Sequence, residues 1–541
     1  MELHCTADGT LPFSSLRGLA LPFPCRRCHE LSGRTIALDG LSLKFDDIER
    51  VARHGDKVCL GEGAVRAVKR AAALVERWAA SDRAVYGITT GFGDLASVRI
   101  SREDRSRLQE NLLRSHACGV GDPYPVDVTR AIMLLRINTL SRGNSGISLE
   151  TLSALADLLN AGIHPLIPCQ GSVGASGDLC PLSHLAVALM GEGMAEYRGR
   201  VVPTAEALTD AGLAPISLGA KEGLALNNGT TVMNAVGALA LLDAERLVRT
   251  ADVAAAMSME ALHGVPYAYD ARTHALRPFR GQNDVASNLR RLIEGSGIVE
   301  KYKGDRVQDA YSLRCVPQVH GAGRDALAYV RGVLETEINS VTDNPLIFPD
   351  DEEALSGGNF HGEPLALAMD FFGIALAEFG SISERRQARM VDASLSGLPP
   401  FLIESSGLNS GFMIPQYVSA SLVSENKVLA HPSCVDSIPT SANQEDHVSM
   451  GGYSARKAVT ILENVRKIVA VELLMGAQAL DFSLGDLKPG KGTAAAHARI
   501  RSVVPFLKKD EYLHPLIERV LELTMSGAVL EAAEGAVGSL A

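Results

Sequence analysis

From Lys221 onward, apolar residues recur at helical spacing over broad faces, with few interruptions. The periodicity predicts helices over 234–262, 323–340, 364–390, 412–428 and 452–480. Several exceed the usual globular length of about 11–12 residues. Such width and length suit the central helices of a bundle or of an oligomer core. Between Leu43 and about Ala220 the pattern is shorter, with brief helical stretches separated by glycine-rich turns. Small β elements are predicted around 34–43 and 197–203. An apolar helix is predicted from Pro181 to about Met190, with Asp178 placed to cap it. No internal repeat or low-complexity linker is visible. The expected fold is mainly α, a long central helical bundle with a smaller mixed N-terminal region. Its parts are an extension (1–33), an N-terminal domain (34–220), and a long-helix bundle with C-terminal helices (221–541).

Composition narrows the class. At 541 residues the chain exceeds a usual single domain, and its 46% apolar fraction is that of a globular protein. Aromatics make up only 5% while Ala and Leu abound, which favours packed helices. A formal charge of −11 without basic runs argues against a nucleic-acid partner. No charge-free apolar run of bilayer length and no secretory leader is evident, so no membrane role and a cytoplasmic location are expected. Nine scattered cysteines fit free thiols. Cys25-Arg26-Arg27-Cys28-His29 has the spacing of a haem attachment site, but haem attachment needs export and no second paired ligand motif is present. It reads as part of a surface extension, and no metal site is expected.

The most informative chemistry lies at 171–187, centred on Ala175-Ser176-Gly177. Attack of the Gly177 nitrogen on the Ala175 carbonyl, with loss of two waters, would leave a five-membered electrophilic ring. Gly177 offers an unhindered nitrogen and tight-turn dihedrals. Ser176 becomes an exocyclic methylene once its hydroxyl leaves, and Ala175 keeps the ring uncrowded. The tripeptide alone is a weak signal, because most such triplets are loops. Its flanks, with glycines at 171 and 174, Asp178 and Pro181, make it specific.

That setting resembles the aromatic amino acid ammonia-lyase and aminomutase family, built around a methylidene-imidazolone (MIO) group. The likeness runs from about residue 36 to the C-terminus. It implies that Ala175, Ser176 and Gly177 form MIO, that no diffusible cofactor is needed, and that the chain forms a homotetramer whose active sites draw on several subunits. Tyr86, in Val85-Tyr86-Gly87-Ile88-Thr89-Thr90-Gly91, would otherwise read as a tyrosine anchoring a turn; the resemblance makes it the general base. A phenol titrates near pH 10, so this role requires supporting neighbours. Arg314, in the block 308–318, suits bidentate capture of a substrate carboxylate. By resemblance Gln308 and Tyr311 line the same pocket, with Tyr311 close to MIO, Asn228 hydrogen-bonds near the ring, and Phe360 is a pocket residue.

Two positions address the substrate side chain. Ser115-His116 looks like the histidine-type selectivity pair, and an imidazole can match another imidazole donor to acceptor. Glu445, in Gln444-Glu445-Asp446-His447, resembles the histidine-type glutamate, which a phenyl ring would leave unpaired. The implied reaction is elimination of ammonia from L-histidine to give trans-urocanate. Three departures bear on the substrate: Ala310 and Val316 replace a usual proline and glutamine, and Asn227 replaces an apolar residue. A tyrosine or phenylalanine lyase, or a 2,3-aminomutase, is the alternative. A catalytically dead helical scaffold is disfavoured by the intact Ala175-Ser176-Gly177, Tyr86 and Arg314.

Overall fold

Helices that are apolar on nearly every side have to be surrounded, and that requirement decides the architecture. A computed structural model describes residues 34–81, 85–91 and 99–541. The expected extension over 1–33, with its Cys25-Cys28-His29 cluster, lies outside the described residues.

The N-terminal part is mixed. It runs β1 (Thr35–Leu38), α1 (Phe45–His54), β2 (Lys57–Leu60), α2 (Glu62–Ala79), α3 (Arg105–His116), β3 (Val120–Pro123), α4 (Val126–Ser141), α5 (Leu149–Asn160), β4 (Ile163–Pro165), β5 (Pro168–Gln170) and α6 (Leu179–Leu189). A hairpin, β6 (Met194–Tyr197) and β7 (Arg200–Pro203), precedes α7 (Thr204–Asp210) and α8 (Glu222–Asn227). β1 pairs in parallel with β2, Thr35 opposite Lys57. The β element expected around 197–203 is this hairpin, which turns through Arg198 and Gly199, both left-handed. β4 joins it as a third strand, and β3 pairs with β5.

The bundle begins with α9 (Thr231–Ala261). There follow α10 (Ala271–Ala275), α11 (Arg280–Leu292), α12 (Gly297–Tyr302), α13 (Tyr311–Arg314), α14 (Val316–Glu337), β8 (Leu346–Phe348), β9 (Glu353–Leu355) and α15 (Glu363–Val391). α16 (Ala393–Ser396), α17 (Met413–Leu429), α18 (Gly451–Leu484), α19 (Lys491–Arg501), α20 (His514–Met525) and α21 (Ala528–Val537) complete it. All five predicted long helices are present. α9, α15 and α18 pack together at the centre, and one apolar core extends from Leu38 to Leu540.

Buried charge ties the central helices together. Glu472 on α18 accepts from Arg386 Nε on α15 at 2.5 Å, from Ser383 at 2.6 Å and from Ser258 on α9 at 2.7 Å. Asp252 on α9 similarly holds His320 and Arg324 of α14 at 2.7 and 2.6 Å. α15 is long and apolar enough to cross a bilayer by composition, but most of it is buried among these neighbours. Cys118, Cys169, Cys180, Cys315 and Cys434 are free thiols, whereas Cys59 is disulfide-bonded, against the expectation of free thiols throughout.

Candidate active site

The segment 175–178 is held in place by the start of α9. Gly177 has φ +74°, and a Cβ there would stand 2.2 Å from the Gly229 carbonyl, so only glycine allows the approach. The Asp178 N–H donates to the Gly229 carbonyl at 2.7 Å, and the Gly229 N–H donates to the Ser176 carbonyl at 3.2 Å. The Asp178 carboxylate accepts the Val232 and Met233 N–H groups at 2.8 and 2.9 Å. It thus caps α9, whose first amides need partners, and leaves α6 without a side-chain cap. The cap expected on the next helix is made on a helix about fifty residues further along. Burial pushes the Asp178 acid up to about 6, with its hydrogen bonds opposing.

Positive charge lies behind this junction. Arg136 is fully buried, donates to the Ala225 carbonyl, and lies beside Gly229. Burial lowers it to about 10, which leaves it a cation at neutral pH. With the α9 N-terminus it raises the potential beneath the tripeptide. The tight turn at Gly177, the small Ala175 and the Ser176 hydroxyl at a cavity wall all fit closure to MIO.

That cavity, of about 880 Å³, is lined by Tyr86, His116, Ala175, Ser176, Asn228, Phe360 and Glu445, so seven of the candidate residues meet in it. Ser176 Oγ donates to Glu445 Oε1 at 3.1 Å, and Thr440 Oγ1 donates to Glu445 Oε2 at 2.8 Å. Glu445 closes a small loop in which Thr440 and Glu445 exchange backbone hydrogen bonds at 3.0 and 3.2 Å. Ser441, Ala442 and Asn443 between them are left-handed, with φ of 51°, 52° and 73°. Each such non-glycine residue costs roughly 1–2 kcal/mol, strain of the kind that gathers at functional sites. His116 ends α3, and burial lowers its pKa against the opposing pull of a Leu112 backbone hydrogen bond and the Glu445 charge. Asn228 Nδ2 donates to the Asn344 carbonyl at 3.3 Å, while its buried Oδ1 has no partner and is free to accept.

A family model described as aromatic amino acid lyase matches residues 43–502. The chain belongs to that family. It is a carbon–nitrogen lyase, as the sequence resemblance implied. The lyase is 55% identical over 507 residues to a histidine ammonia-lyase of Gloeobacter violaceus, covering 93% of this chain and 98% of the relative. It superposes on the histidine ammonia-lyase of Trypanosoma cruzi with a TM-score of 0.86 at 43% identity, covering 93% and 96% of the two chains. The tyrosine aminomutase of Streptomyces globisporus gives a TM-score of 0.89 at 38% identity, covering 94% of this lyase and all of that chain.

Gln308, Tyr311 and Arg314 do not line the lyase's cavity. α13 carries Tyr311 and Arg314 and packs against α9, α14 and α15. The Tyr311 side chain is 70% exposed, Gln308 is exposed, and the Arg314 guanidinium lies 4.7 Å from the Tyr311 ring centre. Arg314 Nε is buried and unpaired.

Sequence reasoning missed several residues of the cavity. Asn344 in its wall and Thr440 behind Glu445 lack any motif, and only their contacts with Asn228 and Glu445 reveal them. His361 and His447 also face it. With Glu363 they bring three possible metal-ligand atoms within 4.8 Å, but His361 already hydrogen-bonds the His447 carbonyl and the Glu363 N–H, each at 3.3 Å.

Proposed function

We propose that this lyase eliminates ammonia from L-histidine to give trans-urocanate, with MIO formed from Ala175, Ser176 and Gly177. The observation that carries the reading is the meeting of His116 and Glu445 with Ser176 in one cavity. MIO, once formed, supplies the electrophile that loads the substrate amine. The chain's own groups do the rest. Tyr86 takes the β-proton, Asn228 offers a hydrogen bond beside the ring, Phe360 forms an apolar wall, and His116 and Glu445 engage the imidazole. Arg314 holds the carboxylate, with Gln308 and Tyr311 beside it. These three stand apart from the cavity of their own chain, so a neighbouring copy in a homotetramer supplies them. The enzyme needs no diffusible cofactor and works in the cytoplasm.

Likeness to a histidine ammonia-lyase at 55% identity supports the substrate. A second reading, tyrosine or phenylalanine elimination or a 2,3-amino shift, draws on the likeness to a tyrosine aminomutase and on Ala310. Glu445 weighs against it, because a phenyl face leaves a carboxylate unpaired. The test is purified protein with L-histidine, L-tyrosine or L-phenylalanine, followed by ultraviolet absorbance of the conjugated acid. Absorbance growth with histidine alone is expected. Turnover of tyrosine but not histidine would sink the substrate assignment. Full activity in Ser176→Ala, or a chain mass not reduced by two waters, would sink the mechanism.

A further inference from the structure

A neutral imidazole ring carries one N–H donor and one bare nitrogen, whereas a protonated ring carries two donors. The cavity wall distinguishes these two forms. Ser115 has a single hydroxyl proton, which it donates to the Leu112 carbonyl at 2.9 Å. In its 3.0 Å contact with His116 Nδ1 the serine oxygen is therefore the acceptor. The His116 proton sits on Nδ1, which leaves Nε2 as the acceptor of a side chain that lines the cavity. Burial lowers the pKa of this ring and so disfavours its protonation.

Glu445 offers a second acceptor. Its Oε2 is occupied by the Thr440 hydroxyl, and its Oε1 by the Ser176 hydroxyl. Ring closure expels that serine hydroxyl as water, so the mature enzyme has lost the donor on Oε1. Glu445 Oε1 is then open as an acceptor in the same cavity wall as the Nε2 acceptor of His116. Resting on the function proposed above, we infer that the site selects the imidazolium form of the substrate ring, with Ser115 as the positioning residue that fixes the His116 tautomer.

The consequence is chemical. A cationic ring withdraws electrons from the adjoining carbon and acidifies the β-proton that Tyr86 must take. The proton is already on the ring when it binds, and it leaves with the urocanate or returns to solvent, so nothing else is consumed. The other titratable groups on the wall are Tyr86, Asp446, His361 and His447. Asp446 favours a cationic ligand, and His361 is already engaged with the His447 carbonyl.

The experiment uses the mature enzyme and 3-(imidazol-4-yl)propionate, the substrate skeleton without its amine, labelled with nitrogen-15 at both ring positions. A free imidazole of this kind loses its second proton near pH 6.5, as a histidine side chain does. Bound, both nitrogens are expected to remain protonated at pH 7.5, with affinity falling by up to tenfold per pH unit above the free value. Ser115→Ala is expected to lower the pH at which the bound ring deprotonates by about one unit, and Ser115→Thr to restore it. One bare nitrogen in the bound ring at pH 7.5 would overturn the imidazolium claim. An unmoved titration in Ser115→Ala would overturn the role of Ser115. Failure of this compound to bind where 3-phenylpropionate binds would instead overturn the histidine reading itself.

Discussion

Removing the Thr440 hydroxyl tests whether the Glu445 carboxylate needs to be held. Thr440→Val keeps the β-branched shape, and the backbone bridge between 440 and 445 uses groups the substitution leaves alone. What is lost is one hydrogen bond of 2.8 Å to a charged acceptor. Hydrogen bonds to charged groups contribute about 1.5–3 kcal/mol and ordinary ones about 0.5–1.5 kcal/mol, and partial exposure of Glu445 places this bond where the two ranges meet, at about 1–1.5 kcal/mol. At about 1.4 kcal/mol per tenfold, kcat/KM for L-histidine should fall roughly five- to tenfold. Thr440→Ser should recover most of it, since the donor returns. The assay is steady-state urocanate formation on protein whose mass confirms complete loss of two waters. A Thr440→Val enzyme within twofold of the parent would refute the reasoning. So would a Thr440→Ser enzyme as slow as Thr440→Val.

Three further outcomes follow from the buried charges and the chain topology. Asp178 has a folded-state pKa raised to about 6 from 3.8, so the stability it contributes is full below the lower value and lost as pH rises through the upper. Relative to Asp178→Asn, the parent should therefore be about 1–1.5 kcal/mol more stable at pH 5 than at pH 8, as read from paired melting curves; a pH-independent difference would contradict this. Glu472→Leu strands the fully buried Arg386 and should cost about 3–5 kcal/mol, with Arg386→Met in the same chain recovering much of it; a single variant that melts with the parent would show that the ion pair adds little. Tyr86→Phe and Arg314→Ala should each be inactive alone, yet co-expressed they should restore about a quarter of the sites if the two residues act from different subunits. No recovery in isolated mixed oligomers would place both residues in one chain's site.

How far the sequence carried the fold depended on how local each cause was. The long helices were legible because an apolar face of 17 or more residues repeats its signal with every turn, and the structure moves their ends by only a few residues. α14 shows where that signal fails. It starts at Val316 rather than 323, because Pro317 sits in its first turn and Gly321 and Gly323 pack closely on Gln282 and Phe379. Those glycines are there for helix contacts that periodicity does not record. The pairs β3–β5 and β8–β9 are three or four residues long, too short for alternation to show. The site divides along the same line. Ala175-Ser176-Gly177, Tyr86, His116 and Glu445 were legible as motifs, and the cavity unites them. Asp178 was legible as a cap, but its helix was not, since the choice between α6 and α9 is made by tertiary contact at Gly229. Arg314 reads in the sequence as a candidate carboxylate ligand, but a single sequence does not say in which copy of the chain it would act. Its unpaired Nε and the exposed Tyr311 on the same short helix lie outside the cavity, which is the arrangement a shared active site would require. The co-expression experiment is therefore the one that joins the two halves of the site.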